Sequence, residues 1–193
     1  MKIVFLLEEL SMKYLLDGIL PKILPDGVLF QTIPHNGKSA LKRSLPRKIR
    51  GWNEPDVRFV VVCDQDTADC IELKKQLMVL CNKDGQQVMI RIVCHELEAW
   101  YFGDMEAIVT AYGDRRISEI ANKKQYRIPD SIPNPKEVLR RILPEHQQIA
   151  GAMKIAPHMD IENNTSASFN CFVSGVKRIA SGGTLVSNQT VTN

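Results

Sequence analysis

The run Val57-Arg58-Phe59-Val60-Val61-Val62-Cys63 is apolar, largely β-branched and free of alternation, and it stops on Asp64-Gln65-Asp66. Such a run reads as a strand buried on both faces, the kind found in a parallel α/β sheet. Ligands of these sheets bind beyond the carboxyl ends of the strands, so the two acids stand where a site is expected. If extended geometry persists through Asp66, the two carboxylates share one side, roughly 6–7 Å apart. That arrangement suggests a hard divalent cation. The competing reading is that Asp-x-Asp caps the next helix and starts its turn. The segment alone leaves both open.

Other segments repeat the pattern. Lys2 to Leu7 is an apolar strand that ends on Glu8 and Glu9, and Val28 to Ile33 is a second strand, followed by Pro34-His35-Asn36-Gly37. Val88 to Cys94 is a fourth, and it runs into His95-Glu96-Leu97-Glu98-Ala99-Trp100. Helices are predicted between them: one N-capped by Ser11 and kinked or ended by Pro21, one from Lys38 to about Arg50, and one from about Ala68 to Cys81. Strand and helix alternate, which predicts right-handed crossovers and a mostly parallel four-stranded sheet flanked by helices. Parallel strands bring their acidic ends to one edge, and that convergence says more than any single pair.

After about Phe102 helical patterns dominate, near Met105 to Tyr112, Lys136 to Leu143 and Ser166 to Ile179. Arg127 to Pro135 holds three prolines and reads as an extended loop. We expect one α/β domain over residues 1–180, with a helical C-terminal half packed on the sheet, and a frayed tail over 181–193.

The chain has 193 residues, 44% of them hydrophobic, enough for one full core. Its net charge of +3 is too small to establish a nucleic-acid partner. The charge is uneven, however: Lys38, Lys42, Arg43, Arg47, Lys48 and Arg50 fall in one stretch without an acid. That stretch either follows phosphates or is a solvated helix face. Five scattered cysteines without a Cys-x-x-Cys pair fit reduced thiols, not a disulfide framework or a zinc site. Met1 to Leu7 is too short for a signal peptide or a span, so the expectation is a cytoplasmic protein without a membrane segment. No P-loop, Gly-x-Gly-x-x-Gly or Gly-x-Ser-x-Gly motif occurs.

Glu8, Asp64 and Asp66 offer hard oxygens suited to Mg2+ or Mn2+. Without a cation, carboxylates so placed repel and one takes up a proton. Glu98 completes the set if it faces inward. Glu96 and Glu98 equally suit a first helical turn, where the dipole favours acids. His35 can touch a phosphate or metal, although a lone histidine is more often a structural hydrogen bonder; Lys154 can bind a phosphate, as can any surface lysine; and Cys63 is better read as a small buried residue than as a nucleophile.

A glutamate after the first strand and Asp-x-Asp after a later one resemble the Toprim arrangement of topoisomerases, primases and OLD-type nucleases. The finer resemblance is to a bacterial family of Toprim-like domains of unknown function, family 4276. It is carried by Leu7-Glu8-Glu9 with Ser11, His35-Asn36-Gly37-Lys38, Cys63-Asp64-Gln65-Asp66, Glu96-Leu97-Glu98-Ala99-Trp100, and Ile155-Ala156-Pro157-His158-Met159-Asp160 with Ser166 to Phe169. It spans about Met1 to Ile179. The resemblance implies that Glu8 is the Toprim glutamate, that Asp64 and Asp66 are its metal-binding aspartates, and that the reaction breaks or joins phosphodiester bonds with magnesium. Two departures stand out. Glu9 follows Glu8 where Toprim proteins commonly have glycine, and His146 and Gln148 stand where relatives often carry Tyr and Lys. If a lysine assists catalysis, this chain lacks it or uses Lys154.

Three functions are therefore expected in order. The first is a Mg2+-dependent nuclease on DNA or RNA, with Lys38, Lys42, Arg43 and Arg47 along the backbone, working with a partner ATPase in defence against phage or mobile DNA. The second is a non-catalytic subunit that binds an ATPase or nucleic acid. The third is a small-molecule phosphohydrolase. A homo-oligomer is compatible with all three.

Overall fold

The computed structural model describes residues 1–82, 87–121 and 123–183. Four strands, β1 (Lys2–Leu7), β2 (Leu29–Pro34), β3 (Val57–Asp64) and β4 (Gln87–Val93), form one sheet. All pairings are parallel and the order is β2-β1-β3-β4. The strand ends fall within one residue of those the apolar runs predict, because burial on both faces leaves little choice of register.

The connections are α1 (Leu10–Ile23), α2 (Lys38–Arg50) and α3 (Cys70–Cys81). Ile3, Phe5, Leu7, Val60 and Val62 pack with Met12, Leu15, Leu16 and Ile19 of α1 on one face. Val4, Leu6, Phe59, Val61 and Cys63 pack with Leu41, Leu45, Leu73 and Leu77 of α2 and α3 on the other. The chain moves outward from β1 to β2, then jumps back over β1 to β3. Right-handed crossovers put α1 and α2 on opposite faces for that reason. The seam between β1 and β3 is thus the topological switch point, the place where ligands of open α/β sheets bind.

The second half follows as α4 (Glu98–Phe102), α5 (Met105–Tyr112), α6 (Arg116–Ala121), α7 (Pro135–Ile142), α8 (Gln148–Ile155) and α9 (Ala167–Ala180). These helices share the core on the α1 face; α8 lies on α1 and α9 on β4. Trp100 anchors the join: it is fully buried, its indole N–H donates to Ser168 Oγ at 2.9 Å, and its ring meets Phe169 edge-on. Asp130 accepts from the Ser166 and Ser168 hydroxyls and from the Ser168 amide, which fixes the start of α9.

Two local expectations are corrected and a third, at Pro21, is sharpened. Ser11 is not the N-cap of α1; Glu9 holds that position in extended geometry, and the buried Ser11 hydroxyl donates to the Glu9 carboxylate. The helix end expected near Pro21 falls two residues beyond it. The proline sits in the last turn, and α1 runs on to Ile23 because Ile19, Leu20 and Ile23 are buried together, which offsets the single lost backbone bond. The proline-rich span is not simply extended, since Pro129–Ser131 forms a 3-10 turn. Of the expected tail, residues 184–193 lie outside the described residues.

Among the described residues no helix is long and apolar enough to cross a membrane.

Gly103, at the end of α4, is a test of this packing. A Cβ there would meet Asn164 Cγ at 2.8 Å and the Ser166 amide nitrogen at 2.9 Å. Asn164 cannot step aside, because its Nδ2 donates to the Trp100 carbonyl and its Oδ1 accepts from Ser166 N–H. Gly103→Ala is expected to lose roughly 2–4 kcal/mol in urea denaturation, and a loss under about 0.5 kcal/mol would contradict the rigidity of this corner.

Candidate functional site

The site is built from the ends of three strands. β3 keeps its alternation through Asp64, so the Asp64 side chain points to the α1 face, after Val60 and Val62. Asp64 is only 8% exposed, and its Oδ1 has no hydrogen-bond partner. Glu8 leaves β1 in the next position and reaches across the seam, where its Oε2 accepts from the Asp64 amide at 3.0 Å. Glu98, the first residue of α4, is 3% exposed.

Burial pushes the Asp64 carboxyl well above its usual range, and the charges of Glu9, Glu8, Glu98 and Asp66 push it further. Burial likewise raises Glu98, to about 7, with Glu96 and Glu9 adding to the effect against Lys136 and a backbone hydrogen bond. Glu8 is raised by burial in spite of Lys38 and the Asp64 amide. The three strand ends therefore bring one interacting group of carboxylates to the edge.

Asp66 behaves differently from the extended-strand expectation. β3 ends at Asp64, and Asp66 takes a left-handed conformation at φ +52°. Its amide donates to the His95 carbonyl, and the Gln65 amide donates to the Val93 carbonyl. His95 is itself left-handed at φ +56°. Two non-glycine residues held in this region at one edge are costly, at roughly 1–3 kcal/mol each. The turn swings Asp66 away from Asp64, leaves it half exposed, and aims it at Lys38, whose Nζ is 2.6 Å from Asp66 Oδ2 and 4.0 Å from Glu8 Oε2. Burial lowers the Lys38 ammonium, but Asp66 and Glu8 outweigh it and hold its pKa above the ordinary value. The capping alternative for Asp-x-Asp is also resolved, because the cap of α3 is Asp69, which accepts from the Glu72 amide.

Two acids of the Glu-Leu-Glu-Ala-Trp segment divide their work. β4 has ended before them, and both sit at the start of a helical turn. Glu96 accepts from the Lys136 amide and so holds the beginning of α7, while Glu98 stays inside with the other carboxylates.

Of the expected nucleic-acid contacts, Arg43 and Arg47 are exposed on α2, whereas Lys42 is engaged with Gln76 Oε1 at 3.0 Å. Both His35 ring nitrogens are occupied: Nδ1 donates to the Leu7 carbonyl at 2.8 Å and Nε2 lies 2.6 Å from Ser44 Oγ. Burial lowers the His35 pKa, so the ring ties the β2–α2 loop to the end of β1. Lys154 stands on α8 with its ammonium above the Tyr112 ring, and no carboxylate among the described residues is within ion-pair distance of it. Cys63 is buried with its thiol pushed up to about 12, the state of an inert thiol.

The sequence reading did not place Glu9 and Tyr101 in the site. Glu9 is the largest charge acting on Asp64, and the acid doublet after β1 was the available signal. The Tyr101 hydroxyl is buried without a partner and feels Glu98, Glu9 and Asp64; nothing in its sequence context marks it.

The donor set consists of carboxylate oxygens, which fits a hard cation, and the unpartnered Asp64 Oδ1 is a ready ligand atom. As the side chains stand, however, no three His, Cys, Asp or Glu groups among the described residues are arranged to hold an ion.

Sheet order and crossovers give the chain a Toprim-like α/β fold, with acids at its switch point. The chain belongs to the family described as Domain of unknown function (DUF4276), whose model matches residues 7–177. Among solved structures it is similar to the C-terminal region of the OLD protein of Xanthomonas campestris pv. campestris, at 11% identity over 93% of each chain with a TM-score of 0.52. That likeness shows the fold. No curated protein matches the chain in sequence.

The raised Glu98 carboxyl has a consequence for stability. Its folded pKa of about 7 lies above the ordinary 4.5, so the folded state binds the proton more tightly than the unfolded one. The contribution is fully present below pH 4.5 and is lost as pH rises through about 7. In metal-free buffer Glu98→Gln is expected to be more stable than wild type by about 3 kcal/mol at pH 8, with the gap shrinking toward pH 4.5. Denaturant melts across pH 4.5–8 check this, and a pH-independent gap would contradict it.

Proposed function

We propose that this chain is a metal-dependent nuclease that hydrolyses phosphodiester bonds of DNA or RNA at the carboxyl edge of its sheet. The observation that carries the reading is the gathering of Glu8, Glu9, Asp64, Asp66 and Glu98 at the switch point, with Asp64 buried and one of its oxygens unpartnered. Burying carboxylates together is unfavourable unless a cation offsets them. Glu8, Asp64 and Asp66 are the residues that would hold Mg2+ or Mn2+, with Glu98 behind them. When bound, such an ion polarises a phosphoryl oxygen and makes bound water a stronger nucleophile.

The residues of the chain supply the rest. Burial pushes the Glu98 carboxyl up to about 7, which suits it to hold or release a proton at working pH. Arg43 and Arg47, exposed along α2, are placed to follow a phosphate backbone that approaches the edge. The fold likeness to an OLD protein supports this chemistry. By the resemblance to OLD-type nucleases, the reading extends to a partner ATPase that acts with the chain in the cytoplasm against phage or mobile DNA.

A second reading is a non-catalytic subunit that binds an ATPase or nucleic acid. The Lys38 pairing favours it, since the ammonium already neutralises part of the acidic edge, and so does the lack of a preassembled chelating set among the described residues.

Labelled single- and double-stranded DNA and RNA, incubated with Mg2+ or Mn2+, separate the two. The nuclease reading expects cleavage that Asp64→Asn reduces by about 100-fold or more. No cleavage with either metal, together with partner binding unaffected by Asp64→Asn, would instead establish the subunit. Arg43→Ala and Arg47→Ala should each weaken nucleic-acid binding in all sequences and reduce the salt slope by about one; an unchanged slope would remove α2 from the interface.

A further inference from the structure

We propose that Lys38 is the resident counter-cation of the acidic edge: a divalent ion displaces it from Glu8 and Asp66, and it then holds the phosphate of the substrate. The inference rests on the proposed metal site and adds to it the residue that gates the site. Lys38 is the first residue of α2, whose start is pinned by the Gly37 amide donating to the Glu8 carbonyl at 2.9 Å. A cation is disfavoured at a helix N-terminus, and the first turn of α2 carries no acid to offset it. The offset comes from other elements, from Asp66 Oδ2 at 2.6 Å, the Gln65 carbonyl at 3.4 Å and Glu8 Oε2 at 4.0 Å.

This position explains why five interacting acids do not make a ready chelating set. Asp66 is turned to the ammonium, and the Glu8 oxygen nearest to it is shared with the Asp64 amide. Asp64 Oδ1 is left over, so the single ammonium does not complete the site. An ion of charge +2 and an ammonium repel at the same carboxylates, and one must leave. Lysine has a flexible four-carbon stem and three donors, and α2 has no side-chain cap over its first amides, which favour an anion. A phosphate beside the ion therefore receives Lys38 within reach of its present position.

The test is calorimetric titration of Mn2+ into wild type, Lys38→Met and Lys38→Gln, each checked for folding by thermal melting. Both neutral variants are expected to bind Mn2+ about tenfold more tightly, while binding a single-stranded oligonucleotide in Mn2+ about tenfold more weakly than wild type. Mn2+ affinity equal to or weaker than wild type in the variants would overturn the displacement and leave the metal site standing. Unchanged oligonucleotide affinity would overturn the transfer of Lys38 to phosphate. No Mn2+ binding in any of the three proteins would remove the metal site itself, and this inference with it.

Discussion

The Asp64 carboxylate is buried at the seam of β1 and β3, with one oxygen unpartnered and four other acids acting on it. Much of the architecture serves to hold that arrangement. The β1–β3 pairing places Glu8 against the Asp64 amide. The left-handed turns at Asp66 and His95 knit the ends of β3 and β4 together and send Asp66 outward. The Trp100 anchor and the start of α4 keep Glu98 inside. Local stability is spent on this edge, since raised carboxyl groups and left-handed non-glycine residues both cost free energy. That concentration of cost at one place is what the proposed metal site rests on.

The helical second half has a corresponding role. Its helices cover the α1 face and share its core, and they do so through a few polar junctions. Asp130 gathers Ser166 and Ser168, Asp104 caps α5 and also accepts the Asp160 amide, and Lys22 donates to the carbonyls of Ala156, Pro157 and Met159. The segment Ile155 to Asp160, singled out by resemblance, thus acts as a clasp between α1 and α5. It brings no carboxylate to the edge.

The sheet was legible in the sequence because apolar runs buried on both faces have little freedom of register, and their acidic ends could be read directly. The sequence leaves Glu96 and Glu98 equivalent, and only the burial of Glu98 beside Leu97 and Trp100 separates them. What could not be read depends on turns and on contacts between distant residues. The left-handed Asp66 breaks the extended spacing that pairs it with Asp64. Lys38 looked like one more base on a helix face, yet its partner lies 28 residues on. His35 looks like a ligand in the sequence, whereas both its ring nitrogens are engaged in the fold, and Tyr101 has no signal outside its three-dimensional surroundings.

The central claim is that the acidic switch point is a divalent-metal site. Diffraction from crystals soaked in Mn2+, collected where manganese scatters anomalously, tests it directly. The account predicts an anomalous peak at the seam of β1 and β3, within bonding distance of Asp64 and Glu8, with the Lys38 ammonium moved away from Asp66. A fully soaked crystal with no peak at that seam, and with Lys38 still paired to Asp66, would contradict it.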